Sequence, residues 1–130
     1  MTIIHVKTET FEEVISENNT VILDFWAPWC APFEPVFESL TLQFPKLAFC
    51  RINIDEEEAL ATMFQVRSVP TIVFIREGVV VFSHAGFISE NALIEGINDL
   101  QQLQMDQIHQ DLLHAQEEAK HSTIKELKTV

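Results

Sequence analysis

Apolar and polar residues follow one another along the first hundred positions in blocks that predict strands and helices in turn. Residues 21–26 form an apolar run of strand length that contains one carboxylate, Asp24. Between Cys30 and Pro45, four apolar residues recur at helical spacing, so one face of a helix is predicted to be buried there. These four residues are Val36, Phe37, Leu40 and Phe44. Further strands are predicted over residues 3–6, 47–55, 71–76 and 79–83, and further helices over residues 10–17, over residues 56–64 and from residue 89. The order β-α-β-α-β-α-β-β-α predicts an α/β fold in which helices cover both faces of a mixed sheet.

Local signals mark the ends of several of these elements. Thr10 followed by Glu13 has the spacing of a capping box, and Ser89 is a preferred N-cap residue. Glu77-Gly78 lies between two runs rich in Val, Ile and Phe, which predicts a hairpin turn.

The carboxyl-terminal part of the chain has few stop signals. It contains no Pro after Ile88 and no Gly after Gly96, so the last helix is expected to continue or to restart. Apolar residues recur there at steps of three to five, which is an imperfect amphipathic stripe. The stripe consists of Leu100, Leu103, Ile108, Leu112, Ala115 and Ala119. Such a stripe is expected to pack back on its own domain, with a helical homodimer seam and a disordered end as the alternatives.

The composition limits the classes of partner. With 130 residues and 47% hydrophobic content, the chain is long and apolar enough for one domain with an addition. A net charge of -12 disfavours nucleic acid and anionic membrane surfaces, because both require clustered Lys and Arg. The amino terminus lacks the pattern of a signal peptide, and two cysteines are too few for a secreted disulfide framework. A cytoplasmic protein is therefore expected.

One ten-residue segment carries the most specific chemical signal. Residues 24–33 read DFWAPWCAPF, Ser68 to Thr71 read SVPT, and Gly86 follows the second strand of the predicted hairpin. Together, in this order and spacing, they resemble the thioredoxin family down to about residue 100. The segment departs from the family's Cys-x-x-Cys motif at one position, because Phe33 stands where the second cysteine is expected.

The resemblance implies a thioredoxin fold over residues 1–103, followed by a helical extension over residues 104–130. It also implies a cis peptide bond before Pro70, which would face Cys30. By resemblance Cys30 is the catalytic nucleophile. Asp24 is implied as a second catalytic residue, a buried carboxylate beneath the active site that accepts a proton from the resolving thiol, with Arg51 in the place of the family's partner lysine. The residues implied in substrate binding are Trp29, Pro32, Val69, Pro70 and Gly86.

The missing second cysteine changes the expected mechanism. Thioredoxins resolve the mixed disulfide with their second thiol, so a protein with Phe33 needs an external thiol, with glutathione as a candidate. A cysteine at a helix N-terminus has its thiolate stabilised by the helix dipole. Glu34 disfavours a nearby thiolate, and Pro35 either distorts the first turn of the helix or moves its start to residues 34–35.

Two functions remain open at this stage. The first is a monothiol thioredoxin-like oxidoreductase that exchanges disulfides with protein or peptide substrates. The alternative is a redox-inactive binding or chaperone-like module that uses the groove around Trp29 and Pro70 together with the helical tail. No cofactor or metal is expected, because the five histidines are scattered and no Gly-rich phosphate loop is present. Cys50 is expected to pack in the core, since strand alternation places it opposite Arg51.

Overall fold

Five strands and five helices make up the part of the chain that the structure describes. The computed structural model describes residues 3–30 and 34–128, and for residue 34 and residues 120–128 it describes the backbone alone. The elements are β1 (Ile4–His5), α1 (Phe11–Glu17), β2 (Thr20–Trp26), α2 (Glu34–Gln43), β3 (Ala48–Asn53), α3 (Glu58–Met63), β4 (Thr71–Arg76), β5 (Val79–Ala85), α4 (Glu90–Gln101) and α5 (Met105–Lys128). Their order confirms the predicted α/β fold.

The strands form one mixed sheet in the order β1-β3-β2-β4-β5. The central strand β2 pairs with β3 in parallel and with β4 in antiparallel orientation. Strand β1 is parallel to β3, and β5 is antiparallel to β4. The carboxyl ends of β1, β2, β3 and β5 therefore meet at the same edge of the sheet. The loops that follow these strands are brought together at that edge.

Strand alternation divides the apolar side chains into two clusters, one on each face of the sheet. Leu23, Cys50 and Val73 point to the face that α1 and α3 cover, where Leu60 is buried. The opposite face packs against α2 and α4, whose buried side chains include the predicted Phe37 and Leu40. Its remaining buried members are Ile22, Phe49, Ile72, Phe74, Leu93, Ile97 and Leu100. Each face of the sheet thus packs against helices, as predicted.

The turn between β4 and β5 has the backbone conformation that a tight hairpin requires. Glu77 and Gly78 both have positive φ angles, 51° and 76°. Two successive left-handed residues are typical of a type I′ turn, whose twist matches that of the flanking strands. Beyond the turn the register shifts between Phe74 and Ile75, so that β5 contains a bulge.

The capping prediction is correct for α4 and wrong for α1. The Ser89 hydroxyl accepts a hydrogen bond from the Ala92 N–H at 3.1 Å. Thr10 is the N-cap residue of α1 but makes no side-chain cap hydrogen bond. Its hydroxyl instead donates to the Lys7 carbonyl at 3.2 Å and accepts from the Lys7 N–H at 3.1 Å. The turn that precedes α1 therefore uses the hydroxyl that a capping box needs.

The chain stops α4 and restarts as α5, which was one of the two predicted courses. Arg76 Nη1 donates to the carbonyls of Leu100 and Leu103, at 2.6 Å and 3.3 Å. A cation at a helix C-terminus satisfies carbonyls that lack helical partners and is favoured by the helix dipole. The side chain of Arg76 thus holds the junction between the two helices.

The tail packs on its own domain through its first turns, so the predicted stripe is covered as far as Ile108. Met105 is buried and Ile108 is half-buried, whereas residues 110–119 are exposed. His109 Nε2 lies 3.6 Å from Glu77 Oε1, which adds a contact between α5 and the hairpin turn. Leu112 and Leu113 face solvent because α5 extends beyond the surface that the domain offers.

The division of the chain at residues 103 and 104 stays a prediction. Within the described part of the chain, no helix is long and apolar enough to cross a membrane.

Candidate thiol and peptide-binding site

Cys30 lies in the loop after β2, at the edge where the carboxyl ends of four strands meet. Its N–H donates to the Ala27 carbonyl at 3.0 Å, which closes a tight turn. Its side chain is half-buried, and the thiol donates to the carbonyl of Val69, with 3.6 Å between sulfur and oxygen. A partly exposed sulfur is thus held against the loop that precedes β4.

That loop contains the cis peptide bond that the resemblance implied, between Val69 and Pro70. The Pro70 carbonyl accepts a hydrogen bond from the Gly86 N–H at 2.8 Å. Gly86 has a φ of +97°, a backbone conformation that residues other than glycine rarely adopt. The structure therefore brings Cys30, Val69, Pro70 and Gly86 together, although they are far apart in sequence. Their roles in catalysis and in substrate binding stay predictions.

Two large aromatic side chains stand beside this arrangement. Trp29, which precedes Cys30, is 70% exposed, and Phe87, which follows Gly86, is 77% exposed. The sequence had pointed to Trp29 but gave Phe87 no role. The available signal was a bulky apolar residue directly after the glycine of the groove. Pro32, the remaining predicted substrate-binding residue, lies outside the described residues.

The second predicted catalytic residue, Asp24, is fully buried on β2. Its Oδ2 lies 3.1 Å from Nε of Arg51, its register partner on β3. The Arg51 guanidinium also lies over the Trp26 ring, with 4.3 Å from its carbon to the ring centroid. Burial of both charges is tolerated because they pair with each other and the guanidinium stacks on an aromatic face. The predicted placement of Arg51 opposite Asp24 is thus observed.

Cys50 is buried in the core on the face of the sheet that α1 and α3 cover, as strand alternation predicted. Burial raises the pKa of the Cys50 thiol to about 12, because an apolar surrounding disfavours the thiolate. Across the neutral pH range Cys50 therefore stays a protonated thiol. It serves as an internal control for chemistry at Cys30.

A metal site finds no support in the residues that the structure describes. Among them, no group of three or more His, Cys, Asp or Glu side chains is arranged to hold an ion. The chemistry that the geometry offers at this edge is that of a single sulfur beside a backbone groove.

Comparisons with known proteins agree with this fold. The family model described as Thioredoxin matches residues 2–99. The chain is 33% identical over 119 residues to "Putative thioredoxin 2" of Streptomyces coelicolor, which covers 89% of each protein. It is 35% identical over 101 residues to a thioredoxin of Haemophilus influenzae, with 74% of this chain and 94% of that one covered.

A solved structure extends the likeness to three dimensions. A mutant thioredoxin from Halobacterium salinarum superposes with a TM-score of 0.71 at 38% sequence identity. The match covers 77% of this chain and 91% of that one. Sequence and structure therefore agree that this chain belongs to the thioredoxin family.

Proposed function

We propose that this protein is a thioredoxin-like thiol–disulfide oxidoreductase that acts through one nucleophilic cysteine, Cys30. Family membership supports a thioredoxin-like redox role in general terms. The single-cysteine mechanism is supported by the position of the Cys30 sulfur, which is half-buried and lies 3.6 Å from the Val69 carbonyl oxygen. A disulfide in an extended substrate that pairs with the backbone of Val69 would lie beside this sulfur.

The proposed reaction has two exchange steps. In the first, the Cys30 thiolate attacks the glutathione sulfur of a glutathionylated substrate; the S–S bond breaks, and the substrate leaves as a thiolate that takes a proton from water. In the second, the thiolate of an external glutathione attacks the Cys30–glutathione disulfide, which releases oxidised glutathione and regenerates the Cys30 thiolate. Because Phe33 has no sulfur, the second step needs this external thiol.

The pairing of Asp24 with Arg51 supports a limited role for this carboxylate. In a dithiol cycle a buried carboxylate can accept the proton of the resolving thiol, but this chain has no resolving thiol at position 33. The guanidinium of Arg51 lies beside Asp24, with 3.1 Å between Nε and Oδ2. Asp24 therefore acts in this proposal as a positioning residue that supports the strand beneath Cys30.

A redox-inactive binding module is the second candidate. The exposed Trp29 and Phe87 favour it, because aromatic side chains beside a backbone groove can hold an extended segment without a thiol. The exposed Leu112 and Leu113 on α5 favour a homodimer through the carboxyl-terminal helix within the same candidate. Two free cysteines fit a reducing compartment, so the cytoplasm is the proposed location for either function.

The two candidates can be separated with a glutathionylated peptide and reduced glutathione. We expect the wild-type protein to release the peptide thiol catalytically, and mass spectrometry to show one glutathione attached to Cys30 during turnover. Cys30→Ser should lose this activity entirely, whereas Cys50→Ala should retain it, because Cys50 is buried and protonated. Peptide binding without any glutathione transfer would instead support the binding module. Equal activity of Cys30→Ser and the wild-type protein would contradict the oxidoreductase.

A further inference from the structure

Phe87 is the more exposed of the two aromatic side chains at the candidate site. Its side chain is 77% exposed, while its backbone is fixed on both sides. The His84 Nε2–H donates to the Phe87 carbonyl at 3.1 Å, and the neighbouring Gly86 N–H donates to Pro70. A fixed backbone presents the aromatic ring to solvent in advance of binding, which lowers the entropy lost when a partner docks.

Hydrogen bonds at the end of the hairpin join the backbone next to Phe87 to the loop that contacts the thiol. Thr71 pairs with Ala85, and the hydrogen bond from Gly86 to Pro70 continues this pairing by one residue. Phe87 directly follows Gly86, and Val69 directly precedes Pro70. The carbonyl of Val69 is the group that contacts the Cys30 thiol. Cys30 contacts Val69, and the residue before Phe87 is bonded to Pro70, so both side chains belong to the surroundings of one short backbone segment.

The loop beside the Cys30 loop is acidic. The Ile54 N–H donates to the Trp26 carbonyl at 2.9 Å, so the segments that follow β2 and β3 run next to each other. After Ile54 comes the acidic turn, residues 55–58, in which Asp55, Glu56 and Glu58 are exposed. Arg51, which lies on β3 just before this turn, is buried and paired with Asp24. Lys7 borders the same pocket as Glu56 and Glu57, so the turn is acidic with one exposed cation beside it. The net charge of -12 is of the same sign as this turn.

We propose that the groove selects partner segments in which the target cysteine is flanked by an aromatic residue and by Lys or Arg. Phe87 is the specificity-determining residue for the aromatic flank, since aromatic pairs add stabilisation beyond the area they bury. The acidic turn selects the basic flank, because complementary charges steer association and disfavour acidic partners. The occupant is an extended segment of another protein. Disulfide transfer to that segment rests on the proposed function, whereas its binding does not.

Four peptides of one length test the proposal with the Cys30→Ser protein, in which no exchange takes place. Their cysteine is flanked by Phe with Lys, Phe with Glu, Ser with Lys, or Ser with Glu. Titration calorimetry should rank Phe with Lys as the tightest and Ser with Glu as the weakest. Adding Phe87→Ala should reduce the preference for Phe over Ser by about fivefold and leave the preference for Lys unchanged. The matched control is Leu42→Ala, which removes another side chain that is 72% exposed, on α2.

Charge is tested in the same way. Glu56→Gln combined with Glu58→Gln should reduce the preference for Lys over Glu by about threefold, and added salt should reduce it further. Glu95→Gln, an exposed substitution on α4, is the control that should leave this preference unchanged. Equal affinities for the four peptides, or equal effects of Phe87→Ala and Leu42→Ala, would overturn the proposal. So would self-association that Phe87→Ala abolishes, since the occupant would then be a second copy of this chain.

Failure of this proposal is distinguishable from failure of the proposed function. The wild-type protein should react with oxidised glutathione and Cys30→Ser should not, and this comparison tests the proposed function alone, because this small disulfide has no aromatic flank. Equal affinities for the four peptides, together with a retained reaction of the wild-type protein with oxidised glutathione, would overturn the specificity role and leave the proposed function standing.

Discussion

Replacing Phe33 with cysteine is expected to release the mixed disulfide at Cys30 without any external thiol. The introduced sulfur would stand at the position where the thioredoxin motif has its second cysteine. Its thiolate would attack the Cys30 sulfur, break the mixed disulfide and expel the attached glutathione or peptide as a thiolate, leaving an intramolecular disulfide with Cys30. An intramolecular thiol has a far higher effective concentration than a thiol in solution. Release from Phe33→Cys should therefore be at least about 100-fold faster than release from the wild-type protein.

This prediction is checked by forming the mixed disulfide with a peptide and following peptide release after excess thiol is removed. Phe33→Ser is the matched control, because it also removes the aromatic ring but supplies no sulfur. The single-cysteine mechanism predicts rapid release for Phe33→Cys only. Equal release rates for the two variants would mean that Phe33 does not occupy the resolving position.

The second large effect is expected at the ion pair beneath the site. Arg51→Met should lower the free energy of unfolding by about 3–5 kcal/mol, because it leaves the fully buried Asp24 without its guanidinium. Chemical denaturation measures this loss. The same substitution also removes the cation from the Trp26 ring, so we expect the fluorescence of the native protein to change.

A double variant separates the charge from the packing. In Asp24→Leu with Arg51→Met, both charges are replaced by apolar side chains, and the stability should return to within about 2 kcal/mol of the wild-type value. Continued turnover by the folded double variant would support the positioning role proposed for Asp24. An Arg51→Met protein within about 0.5 kcal/mol of the wild type would contradict the account of this pair.

Features set by local pattern could be predicted from the sequence. Strand alternation correctly separated the buried Cys50 from Arg51, because side chains of neighbouring strand residues point to opposite faces. The Glu77-Gly78 turn and the Ser89 cap were also predicted, since each depends on the conformation of a few adjacent residues. The approach of Cys30 to Val69 and Pro70 could be expected only from the family resemblance, because 39 residues separate the hydrogen-bonded pair.

Features set by distant partners could not be predicted in this way. The Thr10 hydroxyl could cap α1 or bond to Lys7, and the sequence pattern does not distinguish these choices. Arg76 holds the junction of α4 and α5 through contacts 24 and 27 residues away. The stripe on α5 predicted a buried face, but amphipathicity does not show how far the domain surface extends beneath a helix. The exposure of Phe87 likewise depends on the position of its loop, so the residue type alone does not predict a role for it.

The most direct test of the account is the rate at which the native protein reacts with a small aromatic disulfide at neutral pH, followed by intact mass. Cys30→Ser supplies the blank, and the buried Cys50 supplies an internal control that should stay unmodified. The predicted result is a single adduct at Cys30. It should form at least about fivefold faster than free glutathione reacts with the same disulfide under the same conditions. An adduct that forms no faster than with free glutathione would contradict a nucleophilic role for Cys30 and would leave the binding module as the function of this groove.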